Sequence, residues 1–277
     1  KYCSGFNLSD DSIIGFAQTH LSGTGGPGLG DILLLPFSHD KNSFPYKTKY
    51  EKDSQVATAG YYSVVLPDEN IQAEMTTTQR TAFYRFIYKA SDEPRQLLLD
   101  LQNGIAGWGK NVNQLVLSAA MQTPDAYTIT GYNDIEAWVH RRCFYAIEFD
   151  KPFQTKKSLP KQPDQKAERL VLSFDTDTLL VKVGLSTVSV EGALQSLKKE
   201  NSQWNFDNVR NENQAEWNKQ LSVIDIDGTD EEKVNFYTSL YHAFIQPNNL
   251  ADTDGQYRGA DDSIAHSMSG NYYSTFS

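Results

Sequence analysis

Cysteine is nearly absent. The 277 residues hold two, Cys3 and Cys143, beside three methionines and four tryptophans. Two thiols cannot build a disulfide framework. They can close one bridge or stand as two buried free thiols, and with no secretory signal in the sequence the second is favoured. There is no Cys-x-x-Cys pair and no His/Cys cluster, so no zinc site is expected. No apolar run approaches the ~18 residues of a membrane-crossing helix. Basic residues are in the minority: the net charge is −10 and the isoelectric point is near 5.0. That balance argues against nucleic acid and against an anionic membrane surface, because both require a basic patch. Residues 1–20 lack a charged start followed by an apolar core, so no secretory leader is expected within them.

What is present is aromatic and glycine-punctuated. Aromatic residues make up 12% of the chain, which suits β structure as well as sugar stacking. The length fits one large domain with part of another, at ~100–200 residues each. The most distinctive stretch is 15–36, where two apolar runs, Ile13 to Phe16 and Ile32 to Leu35, flank a loop with five glycines and one proline between Gly23 and Gly30. Both runs read as short strands. The loop offers His20, Ser22 and Thr24 as hydrogen-bonding groups, and its glycines let a ligand approach the backbone closely. Gly23, Gly25 and Gly28 fit a Gly-x-Gly-x-x-Gly spacing. A strand follows instead of a helix, and no Gly-Lys-Ser/Thr occurs, so neither dinucleotide nor phosphate-loop binding is expected.

Downstream the chain is a succession of short strand candidates separated by turns. Residues 38–60 read as a polar, Lys-rich loop. Strands are expected at 61–66, 71–77, 82–88, 97–101, 113–121, 126–132, 143–149, 170–174 and 179–185. The run 82–88 carries aromatics on both faces and is expected to be covered on both sides. Lys151 to Ala167 reads as an exposed hairpin tip. Many short strands without repeated helices predict an antiparallel sandwich.

The pattern turns helical near residue 188. Ser189 is a natural N-cap for a stripe of Val190, Ala193, Leu194 and Leu197. A weaker stripe runs through Phe206, Val209 and Trp217. Thr229 and Glu232 form a capping box ahead of the wide apolar face of Val234, Phe236, Tyr237, Leu240, Tyr241 and Phe244. Pro247 closes that helix. The division expected is therefore 1–187 β-sandwich, 188–225 helical linker and 226–277 a further unit.

A second polar loop, 251–262, packs four carboxylates and Arg258 around Gly255. It lacks the further acid before the glycine and the distal bidentate Glu of an EF-hand, so that motif is rejected. From spacing alone it reads as a charged, solvated loop in which Arg258 can brace a carboxylate. Trp108, on a Gly-flanked loop, is a candidate stacking platform.

The stretch 15–36, GFAQTHLSGTGGPGLGDILLLP, resembles the signature of the glycoside hydrolase family 92 α-mannosidases, Gly-Phe-x-x-Thr-His-Leu-Ser-Gly-Thr-Gly followed by Gly-Asp-Ile-Leu. The segments 60–86, 182–201, 236–261 and 271–277 agree in the same order. Ala17-Gln18 stands where the family pattern often looks like Ser-His, and residues 26–29 also depart from it. The resemblance implies a mainly β fold: an antiparallel supersandwich of the galactose-mutarotase-like type, then linker helices and the first helix of an (α/α)6 barrel. It implies a fragment of an exo-acting, inverting α-mannosidase that uses calcium, with α-mannoside glycans as substrate. Its catalytic barrel would follow in the same protein, and it would work in the periplasm, at the cell surface or secreted.

The resemblance places the catalytic acid, the base and the calcium ligands beyond Ser277, so no catalytic and no metal-binding residue is assigned. His20, Ser22, Thr24, Gly25, Trp108, Asp254, Arg258 and Asp261 are expected to line one wall of the substrate pocket. A non-catalytic carbohydrate-binding or interaction module is the rival reading. A mutarotase-like sandwich with its own chemistry would need a His–carboxylate pair, and spacing alone supplies none for the five histidines.

Overall fold

A computed structural model describes residues 9–21, 28–39, 46–89, 92–105, 115–137 and 140–274. Its strands, in chain order, are β1 (Ser12–Ile13), β2 (Leu33–Phe37), β3 (Thr48–Lys49), β4 (Glu51–Thr58), β5 (Tyr61–Leu66), β6 (Ile71–Thr77), β7 (Thr81–Tyr88), β8 (Arg95–Asp100), β9 (Leu115–Asp125), β10 (Thr128–Glu136), β11 (Arg141–Phe149), β12 (Phe153–Ser158), β13 (Arg169–Phe174) and β14 (Thr178–Ser186). Eight form one antiparallel sheet in the order β4-β5-β6-β7-β14-β11-β10-β9, and four form a second in the order β12-β13-β8-β2. β1 and β3 make a small separate pair.

The two sheets face one another across a single apolar core. Leu34, Leu97, Leu99, Leu170 and Leu172 of the smaller sheet meet Val64, Ala73, Tyr84, Phe86, Ile129, Tyr145, Ile147, Val181 and Val183 of the larger one. The alternation explains the register: in β6 and β7, Ala73 sits opposite Phe86, both pointing inward. β2 is apolar without alternation because its other face is covered too. Leu33, Leu35 and Phe37 pack with Leu98, Leu159 and Val171 on the far side of the small sheet. In β7 the outward Phe83 is also fully buried, beneath Phe206 and Val209. Cys143 is a free thiol in the core, and Cys3 lies outside the described residues.

Two stretches that read as loops contain strands. β4 lies within 38–60, and β12 lies within Lys151 to Ala167. Both are edge strands and largely exposed, so they carry no apolar alternation to betray them. Their charged side chains discourage pairing with a foreign strand.

Helix α1 (Val190–Glu200) begins at Ser189, whose hydroxyl accepts from the Gly192 amide. Its Ala193 and Leu197 close on Ala146 of β11. A Cβ at Gly184 would stand 2.4 Å from the Ala193 carbonyl oxygen, so that glycine lets the helix reach the sheet. Lys182, 1% exposed, donates from Nζ to the Asn201 carbonyl at 2.6 Å, at the helix's C-terminal end. There it lies 4.0 Å from the centre of the Trp204 ring.

Helix α2 (Phe206–Leu221) docks by its first turn and by polar contacts. Arg85 grips Glu74 from Nε at 2.6 Å and reaches Asp207 at 3.0 Å. Asn213 donates to the Gly60 carbonyl at 3.1 Å. Helix α3 (Asp230–Phe244) opens with the expected capping box at Thr229 and Glu232, yet buries none of its residues. Trp217 and Tyr241 join α2 to α3 at 4.7 Å between ring centres. A hairpin of β15 (Gln256–Arg258) and β16 (Ile264–His266) follows.

Candidate functional site

The base of the glycine-rich loop is a tight antiparallel ladder. Phe16 and Leu34 exchange backbone bonds at 2.8 and 2.9 Å, the Gln18 amide donates to the Asp31 carbonyl at 2.9 Å, and the Gly30 amide donates to the Thr19 carbonyl at 2.7 Å. His20 and Leu29 close the last bridge before the loop. Asp31 is 1% exposed. It accepts from Thr19 Oγ1 at 2.8 Å and from Arg141 Nη2 at 2.8 Å. A buried carboxylate is stable only with such partners, so Asp31 locks the loop's two arms to β11.

Leu29 and Gly30 have φ of 61° and 85°. At Gly30 a Cβ would also strike the Ile105 side chain at 2.8 Å. The contact is mutual: Ile105 N donates to the Leu29 carbonyl at 2.6 Å, and Asn103 Nδ2 donates to the Gly30 carbonyl at 2.6 Å. The segment leading toward Trp108 is thereby fastened to the base of the glycine loop.

Of the residues expected here, Ser22, Thr24, Gly25 and Trp108 lie outside the described residues. His20 is exposed overall, but burial of its imidazole lowers the pKa from the ordinary value, with the Asp31 charge opposing. At neutral pH the ring is neutral, able to donate from one nitrogen and accept at the other, which suits a sugar hydroxyl. Spacing did not reveal Arg141, which pairs with Asp31 across 110 positions. Its only signal was a doubled arginine opening a largely apolar strand.

The second loop is arranged differently. Asp254 accepts from the Gln256 amide at 3.0 Å and from its side chain at 2.8 Å. Asp261 accepts from Ser263 Oγ at 2.7 Å. Each of these carboxylates shapes its own turn, and these bonds hold each pKa below the ordinary aspartate value. Arg258 reaches back to the start of α1, donating to the Thr187 carbonyl at 2.8 Å and the Val188 carbonyl at 3.3 Å. None of these bonds joins one of the three residues to another. The buried acid of the loop is Asp252, missed on sequence, which accepts from Ser186 Oγ at 2.6 Å. Burial pushes its pKa up to about 6.

The two loops meet β11 through consecutive residues. Arg141 turns toward Asp31 and Arg142 toward Asp262, at 3.3 Å. Neighbouring side chains of a strand leave opposite faces, so the loops attach to opposite faces of the large sheet. Two histidines have acidic partners that spacing did not supply: His39 with Glu93 at 3.2 Å and His140 with Asp134 at 2.6 Å. Asp134 is also 3.6 Å from Arg142, so it belongs to a chain of ions. Among the described residues no group of three or more His, Cys, Asp or Glu could hold a metal ion.

Comparisons with known proteins agree with this architecture. Residues 1–186 match the glycosyl hydrolase family 92 N-terminal domain, and residues 192–277 match the family 92 catalytic domain. A solved family GH92 α-mannosidase from Bacteroides thetaiotaomicron is similar at 29% identity with a TM-score of 0.89, over 98% of this chain and 39% of that one. A GH92 inverting mannosidase from the same organism, at 18% identity and TM-score 0.82, shares the fold over 98% of this chain and 38% of its own. An uncharacterized secreted glycosidase of Arthroderma benhamiae is 23% identical over 88% of this chain and 36% of its length. The chain thus spans under two fifths of these relatives. No helix among the described residues is long and apolar enough to cross a membrane. Two consecutive family matches that together take in nearly every residue, laid over a sandwich and helices of the same shape, place the chain in glycosyl hydrolase family 92.

Proposed function

We propose that this chain is the N-terminal sandwich (1–187), helical linker (188–225) and beginning of the catalytic (α/α)6 barrel (226–277) of an exo-acting, inverting α-mannosidase. One observation carries the reading above the others: similarity to a family α-mannosidase over 98% of the chain at 29% identity. A physical observation supports the barrel. Helix α3 has a wide apolar face and buries none of it, with Val234 65% exposed and Phe244 40% exposed. Helices with such faces are stable when packed on others. The cover proposed is the remainder of the barrel in the longer protein.

Inverting hydrolysis requires a protonated acid at the leaving oxygen and a base activating water, with carboxyls ~6.5–9.5 Å apart. The contacts of Asp254 and Asp261 fit turns, so neither is assigned to that work. The acid and base are assigned to the barrel beyond residue 277. Calcium is proposed for the whole enzyme. The described acidic residues do not fit it, since no three of them gather in one place and they are engaged in turns and ion pairs. The sandwich contributes a wall of the pocket: the glycine loop with His20, Ser22, Thr24 and Gly25, beside the Trp108 loop. The substrates are α-mannoside glycans. The working place is outside the cytoplasm, in line with a relative described as secreted.

The test is mannose release from α-mannosyl disaccharides by the longer protein and by this chain, with and without a calcium chelator. Turnover by the longer protein alone, released as β-mannose and abolished by chelation, is the expected result. Chelator-resistant turnover by this chain would overturn it. Binding without turnover by both would favour a carbohydrate-binding module.

A further inference from the structure

The β15–β16 hairpin stands against the sandwich with little apolar burial. Gln256, Tyr257 and Arg258 are each half-buried, and Ile264 is 51% exposed. A chain of alternating charges runs through it instead. His140 Nε2 is 2.6 Å from Asp134 Oδ1, and Arg142 Nε is 3.6 Å from the same oxygen. Arg142 Nη2 is 3.3 Å from Asp262 Oδ2. Arg258 Nη1 then donates to Asp262 Oδ1 at 3.1 Å and to the Asp262 carbonyl at 2.9 Å. Asp262 holds a left-handed φ of 65°, and its two carboxylate oxygens face different arginines. His140, Asp134 and Arg142 belong to the β10–β11 end of the sandwich. Asp262 and Arg258 belong to the segment matching the family's catalytic domain. A separate, buried anchor lies at Asp252, and Arg80 donates to the Ala251 carbonyl at 2.6 Å.

We infer that Arg142 and Asp262 are positioning residues. Their pairing sets the β15–β16 hairpin at a fixed place on the sandwich, so that the joint between the two family segments is held by charge at one end and by the buried Asp252 anchor at the other. Arg142 faces two carboxylates and Asp262 faces two arginines, so removing either one loses more than one contact. These groups are partly exposed, so salt weakens their pairing. The effect on catalysis rests on the function proposed above; the effect on the hairpin does not.

The experiment is a double-mutant cycle with Arg142→Ala, Asp262→Asn and the double variant; Asn tolerates the left-handed conformation. Hydrogen exchange is followed in this chain at the Gly259 amide, bonded to the Ser263 carbonyl at 2.8 Å, and the Ser267 amide, bonded to the Gly255 carbonyl at 2.8 Å. Each single change is expected to speed exchange about 5-fold and the double by clearly less than the product of the two, since residues of one pair are not additive. Arg142→Lys should restore most of the protection, and 1 M salt should move the wild type toward the variants. Unchanged exchange, or single effects that multiply, would overturn the inference. In the longer protein, kcat/KM for an α-mannoside should fall about 5-fold in either single variant with recovery in Arg142→Lys. Faster exchange with wild-type kcat/KM would also overturn the positioning role. A longer wild-type protein that hydrolyses no α-mannoside would sink the proposed function, and exchange alone would then decide the clamp.

Discussion

Helices α1 and α3 carry the same kind of apolar periodicity and meet opposite surroundings. In α1 the stripe lands on the large sheet, where Ala193 and Leu197 are buried at 0% and 1% exposure. In α3 the wider stripe covers nothing fully, and its first apolar residue, Val234, is mostly in solvent. Periodicity therefore declares that a helix has a face; it does not declare that the partner lies in the same stretch of chain. α1 finds its partner because Gly184 opens the sheet to a helix backbone. α3 is held at one end by its capping box and along its side by Trp217.

The widest test of that contrast is truncation on each side. Phe86→Ala in the sandwich core should cost about 3–5 kcal/mol in chemical denaturation. Phe236→Ala in α3 should stay within about 0.5 kcal/mol in this chain. Equal losses would erase the distinction. Next in size is Arg141→Ala, which strips one partner from buried Asp31 and should lower stability by about 3 kcal/mol. Gly184→Ala, forcing a Cβ toward the Ala193 carbonyl, should cost about 1–3 kcal/mol and loosen α1 before the sheets; selective exchange of the α1 amides is the readout.

A pH test separates the buried side further. Burial brings the Lys182 pKa down to about 8, from 10.5. Between those values the unfolded chain holds a proton that the folded chain has released, so folding gains stability as pH rises from 8 toward 10. Lys182→Met should remove that gain, seen as the difference between the two unfolding midpoints across the range. The smallest effect belongs to α3: Thr229→Ala should lower helix stability by about 1 kcal/mol, read as faster exchange in the first turn while the sandwich midpoint stays put.

Legibility in the sequence followed apolar alternation. β6 was readable to its ends because Ile71, Ala73 and Met75 alternate with polar residues, even though Glu74 and Thr76 on the other face are buried as well. β4 and β12 were not, because exposed edge strands have no apolar face to print a period. The caps at Ser189 and Thr229 were readable because capping is local. The β11 partners of Asp31 and Asp262, Arg141 and Arg142, were not, since nothing in a linear chain announces a contact formed across more than 100 positions. The glycine loop was visible as a distinct segment through its composition, whereas the turn contacts of Asp254 and Asp261 were only visible once Gln256 and Ser263 were seen to donate to them.

The doubled arginine that opens β11 has a consequence for error correction. A strand that slips by one position sends every side chain to the other face. A slip one way would set Arg142 in Arg141's place beside Asp31 and Cys143 in Arg142's place, and a slip the other way would set Arg141 beside Asp262 and His140 beside Asp31, so one of the two loops would lose its arginine either way. Two adjacent cations with separate acids on opposite faces thus act as a parity check on the β10–β11 hairpin, one that only the native alignment satisfies.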